Sequence, residues 1–97
     1  MFDKMKQLME MKKQADKIKK ELDATEVECN DIRGIEMVMT GSQIVRSVKI
    51  DDQLMGTDNK SRLEQDLVRA FNAAVAQSQK VAARKMQSSM GGSFPGL

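Results

Sequence analysis

The sequence predicts a small α+β domain in the order α-β-β-β-α, and three observations lead there. Two stretches rich in helix formers, about residues 2–23 and 59–87, bracket the chain. Between them lie three short runs, about 25–30, 35–40 and 43–50, in which apolar and polar residues alternate. Turn chemistry separates those runs, at Asn30-Asp31-Ile32-Arg33-Gly34 and again at Gly41-Ser42. The expectation is an antiparallel three-stranded sheet flanked by two long helices, in a single domain spanning 1–97.

In the first helix, Met1, Leu8, Met11, Ala15, Ile18 and Leu22 recur at steps near three and four, with Met5 beside the missed step at Lys4. Such a heptad-like seam is suited to lying along another helix. Lys6, Lys12, Lys13, Lys17, Lys19 and Lys20 occupy the remaining surface, with Glu10 and Asp16 among them.

The first strand places Val27 and Cys29 on one side and Glu26 and Glu28 on the other, so Cys29 reads as a small buried hydrophobe. The second has Ile35, Met37 and Met39 in phase. In the third, Ile44, Arg46, Val48 and Ile50 point one way, and Asp51-Asp52 ends the run because short acidic side chains favour turns and caps. Gly41-Ser42 reads as a two-residue hairpin loop with a primed turn. It would pair Met39 with Ile44, Met37 with Arg46 and Ile35 with Val48 on one face. The stretch Gln43–Met55 thus hands the chain from the sheet to its last helix.

A polar linker, Gly56–Asn59, precedes that helix. Asp58 or Asn59 suits a cap, and so does the capping box of Ser61 and Glu64, which leaves two starts about one turn apart. Glu64 and Asp66 near the beginning and Arg84 and Lys85 near the end complement the helix dipole. The apolar face is Leu63, Leu67, Ala70, Phe71, Ala74, Val75, Ala82 and Met86, with Val81 on its flank. Beyond Ala76 this face thins to Ala, Ser and Gln, as expected of an arm leaving the core. The Gly/Ser-rich segment 88–97 reads as a flexible tail.

Composition narrows the function. Apolar residues make up 40% of the 97, without Trp or Tyr, so the core is small and gains from burial against a partner. Together with projecting helices, this predicts an oligomer. Net charge is only +2, yet it is segregated: +2 over residues 1–23, −4 over 24–58 and +4 over 59–97. Basic helices therefore flank an acidic sheet. The chain has no His and a single Cys, which excludes an internal disulfide and the commonest acid/base and transition-metal chemistry. Asp51-Asp52 reads as a turn, and Gly91-Gly92 follows a helix where a phosphate loop would join a strand to one. No catalytic, metal or cofactor-binding residue is nominated, and no small-molecule substrate is expected. The N-terminus lacks a signal-peptide core and no apolar run approaches ~20 residues, so the reading is a soluble, cytoplasmic protein. The first helix is basic and amphipathic, but acids interrupt its polar face and it has no Trp, which argues against a membrane surface.

Five segments in order carry a family resemblance: LMEMKKQADKIKKEL (8–22), GIEMVMTG (34–41), VKIDDQLM (48–55), LEQDLVRAFNAA (63–74) and the Gly-rich end with Pro95-Gly96. With this spacing over nearly the whole chain, the sequence resembles the YbaB/EbfC family of bacterial nucleoid-associated proteins. It departs from the family pattern in three places. The glycine-rich run before the second strand is reduced to Gly34, Asp52 stands where the family has Pro, and the family's Leu-Glu-Asp-Leu reads LEQDL.

The resemblance implies the same α-β-β-β-α fold, a tight homodimer with helices projecting like tweezer arms, and nucleoid-associated DNA binding with modest sequence preference. DNA enters through the resemblance alone. Given DNA, the basic residues of the helical segments are the candidates for phosphate contact: Lys12, Lys13, Lys17, Lys80, Arg84 and Lys85. The rival reading is a protein-interaction module, a prefoldin-like chaperone subunit or an adaptor, which uses the heptad seam and Met-rich faces and needs no DNA.

Overall fold

The computed structural model describes residues 2–89. Helix α1 (Phe2–Ala24) leads into strands β1 (Glu26–Cys29), β2 (Ile35–Thr40) and β3 (Val45–Ile50). Two 3-10 turns, Asp52–Leu54 and Thr57–Asn59, deliver the chain to helix α2 (Lys60–Ser89). The strands pair antiparallel in the order β1-β2-β3. The expected α+β architecture is present, and α2 starts at Lys60, the earlier of the two starts, leaving Ser61 and Glu64 inside the helix. Asn59 is turned back instead, its amide donating to the carbonyl of Gln53 at 3.3 Å. At its other end α2 takes in Ser88 and Ser89, so the expected tail begins later than 88; its remainder, 90–97, lies outside the described residues.

The core forms where α2 crosses β1 and β2. Pairing Val27 with Met39 and Cys29 with Met37 puts these four on one face, and with Ile35 they are at most 7% exposed. Ala70 and Ala74 are buried against them, and small side chains there let the helix come close to the sheet. Leu63, Leu67, Val75 and Val81 from α2, with Ile32 and Leu54 from the connections, pack around this centre. Gly34 turns the β1–β2 connection at φ +87°, a conformation that disfavours residues with a Cβ.

The β2–β3 hairpin departs from expectation in loop and register. The loop is Gly41-Ser42-Gln43, closed by the Thr40 N–H donating to the Ile44 carbonyl at 2.7 Å and the Gln43 N–H to the Thr40 carbonyl at 3.0 Å. Gln43 supplies the left-handed residue, φ +67°, that a three-residue loop requires. The strands then pair Ile35 with Ile50, Met37 with Val48 and Met39 with Val45, where the sequence suggested Val48, Arg46 and Ile44. Ser47 faces Val38 and Val45 faces Met39, so Arg46 is the extra residue of a bulge. The bulge reverses the alternation: Val45 joins Val48 and Ile50 on the core face, while Arg46 leaves it. An extra residue is invisible to a strict period of two.

Helix α1 also differs. Among the described residues of its expected seam only Ile18 is buried and Leu22 half-buried; Leu8 and Met11 are each 65% exposed. α1 meets α2 near its C-terminal end, where Lys85 reaches Glu21 at 3.6 Å. Its preceding turns stand clear of the rest of the described chain. The molecule measures 67 × 24 × 16 Å with a radius of gyration of 18.5 Å, against about 12–13 Å for a compact chain of this length.

Candidate nucleic-acid interface

Both arms leave the sheet at one joint, built around the β2–β3 loop. Gly41 donates its N–H to the carbonyls of Leu22 (3.0 Å) and Thr25 (2.9 Å), tying the loop to the end of α1. A Cβ on Gly41 would lie 2.9 Å from Leu22 Cδ2 and 3.3 Å from its Cα, so a larger residue would push the Leu22 side chain aside and crowd the end of α1. Thr40, fully buried, accepts the Ile44 N–H on its hydroxyl oxygen at 3.1 Å and lies 3.1 Å from the Ser42 hydroxyl. Ser42 in turn donates to the Asp23 carboxylate. From the other side Ser78 of α2, also fully buried, donates to the Thr40 carbonyl at 2.8 Å. Arg46, displaced by the bulge, aims its guanidinium at the Asp23 carbonyl (3.4 Å). That places a cation at the C-terminus of α1, whose own last turn has none.

The candidate basic residues sit on the two arms. Lys12, Lys13 and Lys17 are exposed on the uncovered length of α1, with Lys12 about 14 Å along the axis from the joint residue Glu21. Lys80 and Arg84 are exposed, one turn apart on α2. Lys85 differs from the other five. Its side chain is 37% exposed and bridges to Glu21, so it braces the arms against each other. Arg84, Lys85, Glu21 and Ser88 line one shallow hollow where the helices meet. Lys13 and Lys17 share a stripe with Lys6 and Lys20, at steps of seven, four and three residues, on the side of α1 away from buried Ile18. Sequence reasoning left Lys6 and Lys20 out of the candidates, although helical phase alone identifies them once Ile18 is known to face inward.

The acidic region faces elsewhere. Glu26, Glu28 and Glu36 are exposed on the strands and point away from the core, in antiphase to Val27, Cys29, Ile35 and Met37. Asp66, a buried carboxylate, is a structural group on α2, held between Arg69 (3.3 Å) and Arg62 (3.8 Å). Cys29 is buried, and burial with the nearby Asp31 carboxylate pushes its thiol above the usual range, which opposes any role as a nucleophile. Among the described residues no group of three or more His, Cys, Asp or Glu side chains is placed to hold a metal ion. No described helix is long and apolar enough to cross a membrane.

Comparison with known proteins points to one family. A nucleoid-associated protein of Dictyoglomus turgidum is 34% identical over 88 residues, covering 90% of this chain and 85% of the relative. Its counterpart in Dictyoglomus thermophilum is 31% identical over the same length, again covering 90% and 85%. A nucleoid-associated protein of Syntrophobacter fumaroxidans is 32% identical over 98 residues, covering 99% of this chain and 89% of the relative. The profile of the YbaB/EbfC DNA-binding family matches residues 1–93. The chain belongs to the YbaB/EbfC DNA-binding family.

Proposed function

We propose that this protein is a nucleoid-associated protein of the cytoplasm that binds double-stranded DNA as a homodimer, mainly through phosphate contacts from its arms and with low sequence specificity. The observation that carries this reading is the segregation of charge along the shape of the molecule. Exposed lysines and Arg84 line two arms that leave one joint, and three exposed glutamates, Glu26, Glu28 and Glu36, lie together on the sheet. Lys12, Lys13, Lys17, Lys80 and Arg84 neutralise phosphates and release counterions, while Lys85 holds the arms together through Glu21. Lys supplies nearly all of the cations on the arms, and Lys meets phosphate as a point charge, which favours backbone contact over base readout. Holding a duplex in this way would alter its local path and, through that, the expression of nearby genes.

The test is fluorescence anisotropy of a random-sequence duplex titrated with protein at about 50 and 200 mM salt. Lys80→Glu/Arg84→Glu is measured beside it, with Lys85 kept so that the joint is undisturbed. Affinity that falls steeply with salt, and vanishes in the variant, is the expected result. A folded protein that fails to bind at the lower salt would overturn the DNA reading. The protein-interaction alternative predicts that the same charge reversal leaves function intact.

A further inference from the structure

We infer that Met9 on α1 is an oxidant-sensitive modification site, whose conversion to the sulfoxide by a peroxide loosens the hold of that arm on DNA. This rests on the DNA reading and adds a means of regulating it. The methionines of α1 and of the core differ sharply in access. Met37 and Met39 are 3% and 0% exposed, whereas Met5, Met9 and Met11 are 62–65% exposed on the uncovered length of α1. Exposure does not separate these three, but their neighbours do. On a helix, the side chains three and four residues away are the ones that meet. Around Met9 those are Met5, Lys6, Lys12 and Lys13. Around Met5 they include Phe2, Leu8 and Met9, and around Met11 they are Gln7, Leu8, Gln14 and Ala15. Met9 also precedes the buried Ile18 by nine residues, about two and a half turns, so it faces directly away from the covered side. It lies within the lysine stripe, between Lys6 and Lys13.

The chemistry needs only a peroxide as oxidant. The thioether sulfur attacks one peroxide oxygen, so that an S–O bond forms as the O–O bond breaks. Sulfur is oxidised and the peroxide reduced; the proton on the transferred oxygen passes to the departing hydroxide, which leaves as water. The apolar side chain has become a polar one, and methionine sulfoxide reductases reverse the change. The new oxygen is a hydrogen-bond acceptor three and four residues from Lys12 and Lys13, whose ammonium groups are donors only. A lysine that donates to the sulfoxide is drawn from the duplex, and the phosphate it would have met keeps its counterion. Sulfoxides at Met5 or Met11 have no cation among the neighbours named above. Met37, Met39 and Cys29 are covered, so the arm is modified while the core is spared.

The test treats the full chain with dilute hydrogen peroxide, maps sulfoxides by peptide mass spectrometry, and measures duplex anisotropy before and after. Wild type is compared with Met9→Leu, Met5→Leu/Met11→Leu and Lys12→Gln/Lys13→Gln, and circular dichroism verifies that each stays folded. The expected map shows Met9 oxidised while Met37 and Met39 remain thioethers. Wild-type affinity should then fall about tenfold at about 50 mM salt, and the slope of log K against log salt should shrink by roughly 0.9 for each lysine withdrawn. Reductase treatment should restore both. Oxidation should weaken Met5→Leu/Met11→Leu as it does the wild type, and leave Met9→Leu and Lys12→Gln/Lys13→Gln at the affinities they had before treatment. A Met9→Leu protein that loses as much affinity as the wild type, or a Met9 left unoxidised, would overturn the site. Binding that is unchanged once Met9 is oxidised would overturn the regulation and leave the DNA reading standing. An untreated wild type that fails to bind duplex would overturn the DNA reading and the regulation with it.

Discussion

Thr40 and Ser78 set the joint from which both arms leave, and the two differ in what their loss would expose. Both are fully buried. Ser78 gives one hydrogen bond to the Thr40 carbonyl, which also receives the Gln43 N–H, so removing the Ser78 hydroxyl leaves that carbonyl satisfied. Ser78→Ala should cost about 0.5–1.5 kcal/mol, the ordinary net value of one bond. Thr40→Val keeps the shape but deprives the Ile44 N–H of its acceptor and Ser42 of its neighbour. Two hydrogen bonds are lost where Ser78→Ala loses one, so the cost is larger, about 1–3 kcal/mol. Urea midpoints at unchanged slope should therefore fall further for Thr40→Val than for Ser78→Ala. The opposite order would show that the joint depends on the α2 contact and not on the loop.

At the scale of elements, α1 is the unequal one. Its 23 residues include one buried side chain, Ile18, whereas α2 packs Ala70, Ala74 and Ser78 into the interior. A helix without tertiary contacts is marginal in water at this length, and its backbone bonds open readily. Hydrogen exchange should show amides of residues 5–15 exchanging much faster than those of residues 66–78 in the free protein, and slowing when duplex DNA is added. Equal protection of the two segments without DNA would mean that α1 is already covered by a partner copy. The sequence made α1 legible as a helix through its composition, but not what its seam meets, because a heptad names a partner helix without saying which one. The hairpin shows the complementary limit. Its existence followed from Gly41-Ser42 between two alternating runs, while the register depended on Gln43 adopting a left-handed turn and on the extra residue at Arg46. Both are choices made by packing Val45 and Val48 toward the core side, and local alternation does not encode them. Among the candidate contacts, the lysines were legible as basic and helical; the pairing of Lys85 with Glu21 joins residues on different helices and became visible only with the fold.

For the whole molecule, a net charge of +2 understates the field that a duplex would meet, because acids and bases occupy different parts of an elongated body. If the arms hold DNA, the glutamates of the sheet act only at a distance, by repelling a duplex that approaches the wrong side. Glu26→Gln/Glu28→Gln/Glu36→Gln should then strengthen binding at about 0.01 M salt, where fields reach ~30 Å, and leave it unchanged at about 0.15 M, where they reach ~8 Å. Neutral replacements at exposed strand positions leave the core untouched; the cross-strand pairing of Glu36 with Lys49 is the one interaction at stake, worth roughly 0.2–1 kcal/mol. Lys80→Gln/Arg84→Gln should behave differently. It removes cations that sit directly on phosphates, so affinity falls throughout the range. The slope of log K against log salt then shrinks by roughly 0.9 for each phosphate that is no longer neutralised. Duplex anisotropy across that salt series separates the two kinds of change. A glutamine triple variant that binds more tightly at every salt concentration would place the duplex against the sheet, and the arms would then have to serve some other partner.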